Sequence, residues 1–168
     1  MFKIGDVVVY SATGVCEISD ICEKSFGADV LQYYMLTPLM QKTSTVFVPI
    51  NNEKLTQKMH RVLTKNEFEE AFAIANSQVF VRPDSESERR NKFTEILNSG
   101  NRALLIQMVL DLKLYKSQQI QNSRRLHLAD ERLLSCSQEL LFEEIAYVFE
   151  IEQDSVQEFL KSKIPQYI

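Results

Sequence analysis

The sequence predicts an α+β chain in which a small β-barrel of about five strands is followed by an all-α domain. Three observations carry that expectation. The first fifty residues alternate short β-branched runs with turn residues, the period-two signature of strands. From about residue 60 the apolar spacing changes to the three- and four-residue steps of amphipathic helices. At the changeover stands Thr64-Lys65-Asn66-Glu67, a capping-box pattern in which the threonine hydroxyl accepts an orphan backbone N–H and the glutamate reaches back. Two packing regimes within 168 residues suit a protein that brings two partners together better than one that encloses a single active site.

Phe2-Lys3-Ile4-Gly5-Asp6-Val7-Val8-Val9-Tyr10 reads as the first strand, and Thr13-Gly14-Val15 as a glycine turn into a second strand from Val15 to Cys22. Ser25-Phe26-Gly27-Ala28-Asp29 is a polar turn. A third strand covers Gln32 to Thr37 and ends at Pro38, which has no N–H to give a central ladder. The fourth, Thr43 to Pro49, sets Val46 and Val48 on one face and Phe47 on the other.

Behind the capping box, Phe68, Phe72 and Ala75 line one helical face. Arg82-Pro83-Asp84 interrupts it, because proline disfavours helix in the residue before it. Ser85-Glu86-Ser87-Glu88 restarts a helix carrying Phe93, Ile96 and Leu97 inward, and Ser99-Gly100 stops it through the left-handed cap that glycine enters at low cost. Asn101 caps a third helix whose seam is Leu105, Met108, Leu112 and Tyr115; Gln118 to Ser123 reads as a polar connection. The longest helix runs from about Leu128 to Phe149 and buries Leu133, Leu140, Leu141, Ile145 and Val148. Asp154-Ser155-Val156-Gln157 caps a last short helix bearing Phe159 and Leu160. The division falls between residues 52 and 64, giving a β domain over 1–58 and a helical domain over 59–168.

The chemistry of an enzyme is missing from this pattern. His60 and His127 have no Cys or His at ligand spacing, and Cys16, Cys22 and Cys136 are spaced as core residues, so no metal or other cofactor is expected. There is neither a G-x-S-x-G elbow nor a phosphate-cradling G-x-x-x-x-G-K run. The acidic neighbours Glu69/Glu70 and Glu143/Glu144 point apart on a helix and read as solvated faces. The chain reads as non-enzymatic, with no small-molecule substrate. No apolar run approaches membrane-span length and no signal-peptide pattern opens the chain, so a cytoplasmic, membrane-independent protein is the expectation. Residues 82–132 carry ten Lys/Arg against seven Asp/Glu, and residues 133–168 two against seven. That asymmetry fits a nucleic-acid face and a solvated helix surface equally well.

The run Phe2-Lys3-Ile4-Gly5-Asp6, continued by Val8-Val9-Tyr10 and Gly14, then Tyr34 and Leu36, then Thr45, Val48-Pro49 and Asn52, resembles the RNA-polymerase-interacting domain shared by CarD/CdnL proteins and the transcription-repair coupling factor. Leu97 with Ser99-Gly100, Val109 with Leu112, Leu128-Ala129-Asp130-Glu131-Arg132 with Leu134, and Glu143-Glu144 are similar to the CarD/CdnL helical domain. The order and spacing of these motifs over about residues 1–148 make the resemblance specific.

The resemblance implies a bacterial transcription regulator with a Tudor-like, SH3-like barrel that docks on the RNA polymerase β subunit by strand pairing, a mode in which backbone groups supply affinity. Carried over, the contact strand is Glu23-Lys24-Ser25-Phe26, flanked by Phe47. The same residues also read as an ordinary hairpin, with Phe47 packed under a helix. Family members often have arginine where this chain has Phe47, while Lys24 keeps a positive charge beside it. The resemblance further implies a helical domain at upstream promoter DNA, where the family inserts a tryptophan into the minor groove. This chain has no tryptophan, and Glu86 stands at the matching position. A carboxylate cannot act as a stacking wedge and is repelled by phosphates. Arg89, Arg90, Lys92 and Arg132 remain as candidate phosphate contacts, with Arg124 and Arg125 in the connection before the long helix. An alternative keeps the polymerase-docking barrel and has the helical domain bind a protein, as Glu86, the acidic tail and the extra C-terminal helix favour.

Overall fold

The computed structural model describes residues 1–10, 13–26, 29–40 and 44–167 and divides into two units, Met1–Val62 and Leu63–Ile168. Among the described residues the first is a five-stranded antiparallel sheet with one short helix, and the second is all-helical.

In the first unit, β1 (Val7–Tyr10), β2 (Gly14–Phe26), β3 (Asp29–Pro38), β4 (Val46–Pro49) and β5 (Met59–Arg61) lie in the order β4-β3-β2-β1-β5, with α1 (Glu53–Thr56) between β4 and β5. The expected first strand is shorter than its apolar run. Gly5 adopts φ +89°, and the Asp6 carboxylate accepts the Lys3 N–H at 2.7 Å, so residues 3–6 form a turn and pairing starts at Val7. Gly14, at φ +88°, turns the chain into β2 as expected. β2 outruns its expected end at Cys22: pairing with β3 continues to Phe26↔Asp29, and the turn residues Gly27 and Ala28 lie outside the described residues, as does Thr43 at the expected start of β4. A β-bulge at Ser19, whose hydroxyl donates to the Met35 carbonyl at 3.1 Å, shifts the register between Ile18 and Asp20.

Val8, Cys16, Ile18, Tyr34, Leu36, Val48 and Met59 form the core of this unit. Met59 belongs to β5, whose ladder with β1 (Val9↔His60) carries the sheet to residue 61, beyond the 58/59 division read from the sequence. Three residues are too few to show a strand period, and only the pairing reveals them.

In the second unit, α2 (Lys65–Ser77), α3 (Glu86–Ser99), α4 (Arg102–Gln121), α5 (Leu128–Phe149) and α6 (Val156–Lys163) follow one another. The capping box at Thr64 forms in full, with the Glu67 carboxylate accepting the Thr64 N–H at 2.8 Å. Ser85 and Asn101 cap α3 and α4, and Gly100 ends α3 at φ +71°. α4 continues four residues into the expected connection: Gln118 to Gln121 are helical, because polar residues extend the solvent side of an amphipathic helix without ending it. A 3₁₀ turn over Gln153–Ser155, with no side-chain cap, precedes α6 in place of the expected cap at Asp154.

The helical core gathers Phe68, Phe93, Leu105, Ile106, Met108, Leu112, Leu141, Ile145, Leu160 and Ile164. Leu133 and Val148 are half-buried, and Leu134 is buried beside them. One expectation is overturned. Glu144 is completely buried, not solvated: its carboxylate accepts from Arg102 Nε, itself buried, and from the Leu63 N–H at 3.1 Å. Period alone cannot separate a buried carboxylate from an exposed one when its partner is 42 residues away. Removing one member of a buried pair strands the other charge. Glu144→Ala should therefore lower unfolding free energy by about 3–5 kcal/mol in urea denaturation; a loss near that of a surface substitution would show that the pair is not desolvated.

Candidate functional site

Strand lengths create the first candidate surface. β2 has 13 residues and β1 only four. Their ladder ends with Val7↔Glu17 and one further exchange, Ile18 N–H to the Asp6 carbonyl at 2.9 Å and Gly5 N–H to the Ile18 carbonyl at 2.8 Å. Among the described residues, no strand pairs with that side of β2 past Ile18.

The register shows which groups this leaves open. Gln32 lies opposite Glu23, and its carbonyl accepts the Ile50 N–H at 2.9 Å, pointing away from β2. In an antiparallel ladder a pair whose member points away is a non-hydrogen-bonded pair, so Glu23 also turns its N–H and C=O outward. The side chains of such a pair lie close together, and Gln32 Nε2 donates to the Glu23 carboxylate at 3.3 Å. Period two puts Ile21 and Ser25 on the same edge. The Asp20 carboxylate accepts the Ile21 N–H at 2.8 Å, which leaves Glu23 and Ser25 to present open backbone groups.

Of the residues singled out from the sequence, Glu23 and Ser25 thus define the edge, and Lys24 and Phe47 share the neighbouring face. The Lys24 ammonium sits 3.1 Å from the centroid of the Phe47 ring. Phe47 is 36 % exposed, so the reading that packed it under a helix does not hold. Leu31, opposite Lys24 and equally exposed, joins this face; the sequence reading passed over it because it lies in the expected turn-to-strand transition. Phe26 closes the strand, and its side chain lies outside the described residues.

The second candidate surface is a groove of about 350 Å³ between α3 and α5, lined by Glu86, Arg90, Arg132, Leu97, Leu133 and Cys136 among others. Cys136 is exposed, which overturns the core placement expected for it; partial burial, and then Glu139, push its thiol above the ordinary range and disfavour thiolate chemistry. The five candidate DNA contacts separate here. Glu86 and Arg90 pair with each other at 2.9 Å, one turn apart on an exposed helix surface. Arg132 is exposed and makes no ion pair among the described residues. Arg89 turns inward to Asp130 at 3.4 Å, both side chains largely buried. Lys92 donates to the Val81 carbonyl at 2.8 Å and lies over the Phe80 ring. Arg124 and Arg125 are exposed beyond the end of α4. From Leu63 onward the chain carries 13 Lys/Arg against 17 Asp/Glu, a net of −4.

Residues 2–63 match the family model of the CarD-like/TRCF RID domain, an RNA-polymerase-interacting domain, and this span coincides with the five-stranded unit. The first unit is therefore a CarD-like RNA-polymerase-interacting domain, and the protein is transcription-related. No curated protein matches the chain. Among the described residues no helix is long and apolar enough to cross a membrane, and no His, Cys, Asp or Glu cluster could hold a metal ion.

The Lys24–Phe47 contact has its own test. Ring currents should move the Lys24 side-chain protons upfield, and Phe47→Leu should abolish that shift while changing stability by no more than about 1 kcal/mol, the range of an exposed cation–π pair. Unshifted Lys24 resonances in the unsubstituted protein would show that the two side chains do not meet in solution.

Proposed function

We propose that the protein is a non-enzymatic bacterial transcription regulator, working in the cytoplasm, whose RNA-polymerase-interacting domain docks on the β subunit by adding a polymerase strand along the outer edge of β2. The observation that carries this reading is the open edge at Glu23 and Ser25: main-chain groups there match a foreign strand, and the half-buried Lys24 with the exposed Leu31 and Phe47 supplies side-chain selectivity on the adjoining face. Phe47 gives that face an apolar anchor held beneath a positive charge, which suits a partner strand bearing an apolar residue close to a carboxylate.

For the helical unit, two readings follow. In the first it lies near upstream promoter DNA and touches phosphates through Arg90, Arg132, Arg124 and Arg125. In the second the protein is an adaptor whose helical unit binds a protein. The net charge of −4 and the internal engagement of Arg89 and Lys92 favour the second. Phosphate contacts release counterions, so DNA binding through these arginines would weaken steeply with salt, whereas an adaptor would show no fork-DNA binding at any salt concentration.

Docking is tested with Ser25→Pro. The Ser25 N–H points to the open edge and takes no part in the β2–β3 ladder, so proline should spare the sheet and remove one docking donor. Co-purification with the polymerase β subunit should fall at least about tenfold, the worth of one hydrogen bond left unmade, with the circular-dichroism spectrum unchanged. Undiminished co-purification by a folded Ser25→Pro protein would reject this edge as the docking strand.

A further inference from the structure

We propose that the segment Gln78-Val79-Phe80-Val81-Arg82 of the helical unit captures an uncharged, extended stretch of a partner protein as an added β-strand, seating one apolar side chain of that stretch in the adjoining cleft. This deepens the adaptor reading by naming its contact surface.

The segment joins α2 to α3 outside any helix, and its first residue, Gln78, has extended backbone angles, φ −117° and ψ 142°. Its side chains alternate. The Phe80 ring packs 6.0 Å from the Phe93 ring, whereas Val79 and Val81 are 90 % and 72 % exposed. Both ends are tied down. Gln107 Nε2 donates to the Gln78 carbonyl at 3.1 Å. Arg82 grips the Asp111 carboxylate with two donors, at 2.7 and 2.9 Å, and lies 3.9 Å over the Tyr115 ring. Among the described residues, the N–H groups of Val79, Phe80 and Val81 make no hydrogen bond, nor do the carbonyls of Val79 and Phe80. The segment is therefore tied at both ends while its intervening backbone groups stay open, with two β-branched side chains outward.

The adjoining cleft specifies the partner's chemistry. It measures about 400 Å³ and is lined by Val79, Phe80 and the half-exposed Leu114, with the amides of Gln78, Gln107 and Gln166 around them. Asp111 is the one charged residue in the lining, and Arg82 neutralises it. A polyanion or a cationic ligand finds no counter-charge there. Neutral peptide groups find amides to pair with, and an apolar side chain finds a dry wall.

The test titrates the full-length, ¹⁵N-labelled protein with the end-blocked peptide acetyl-Thr-Val-Leu-Val-Thr-amide, with no polymerase or DNA present. The Val79 and Val81 amide resonances should move and exchange more slowly with solvent, whereas acetyl-Thr-Glu-Leu-Glu-Thr-amide should leave them in place. Val81→Pro deletes one open donor outside any helix or sheet, and Leu114→Lys places a charge in the cleft; each should weaken binding about tenfold with resonances elsewhere retained. Absence of any peptide-induced change would overturn the proposal, as would binding that neither substitution weakens. Concentration-dependent shifts of the same amides without peptide would assign the strand to a second copy of this chain and overturn it equally. None of these results bears on docking through β2, which is read out with polymerase.

Discussion

An antiparallel ladder can satisfy a strand only as far as the shorter partner reaches. In the first unit β2 extends nine residues beyond the length of β1, and β3 follows it on one side only. The open backbone edge of this domain descends from that mismatch. The bulge at Ser19 re-aims the strand just where the β1 ladder ends, and Asp20 covers the first open N–H with its own carboxylate. What remains is a stretch of edge short enough to resist indiscriminate pairing and long enough to take a few main-chain hydrogen bonds from a chosen partner.

The helical unit is organised around a different constraint, the need to balance a carboxylate with no access to water. Glu144 satisfies it with two donors, Arg102 at the first position of α4 and the Leu63 N–H at the unit's first residue. One side chain thus fastens α5 to α4 and to the start of the unit. Apolar residues of similar volume in place of both Glu144 and Arg102 would pack at comparable stability, yet they would not hold the backbone at Leu63. The ion pair is better understood as setting position than as adding net stability.

Charge in this unit is spent largely on itself. Arg82 serves Asp111, Arg89 serves Asp130, Lys92 serves a carbonyl, and Arg90 offsets Glu86. A surface meant to follow a phosphate backbone keeps its cations exposed and in excess. Here they mostly hold secondary structure together, and the uncharged, exposed run Val79–Val81 stands out against them.

Local chemistry made most of the architecture legible in advance. The Thr64 capping box, the Gly100 stop, the Asn101 cap and the alternation of Val46, Phe47 and Val48 each depend on residues within one turn or one strand, and each forms as expected. The resemblance of the first unit was legible because its motifs keep a fixed order and spacing along the chain, and the match over residues 2–63 bears it out. The strand at Met59–Arg61 escaped notice because three residues have no measurable period. The outward direction of Glu23 and Ser25, the burial of Glu144, and the diversion of Arg89 to Asp130 and of Lys92 to Val81 are of another kind. Each is decided by a partner from a different strand or helix, or by a ladder's register, and residue type is the same whether such a partner is present or not. Sequence alone determined the two element types, the order of the longer elements and the ends set by a local cap or glycine; tertiary structure decided strand lengths and which polar groups are left over for a partner, because only assembled neighbours determine what has already been satisfied.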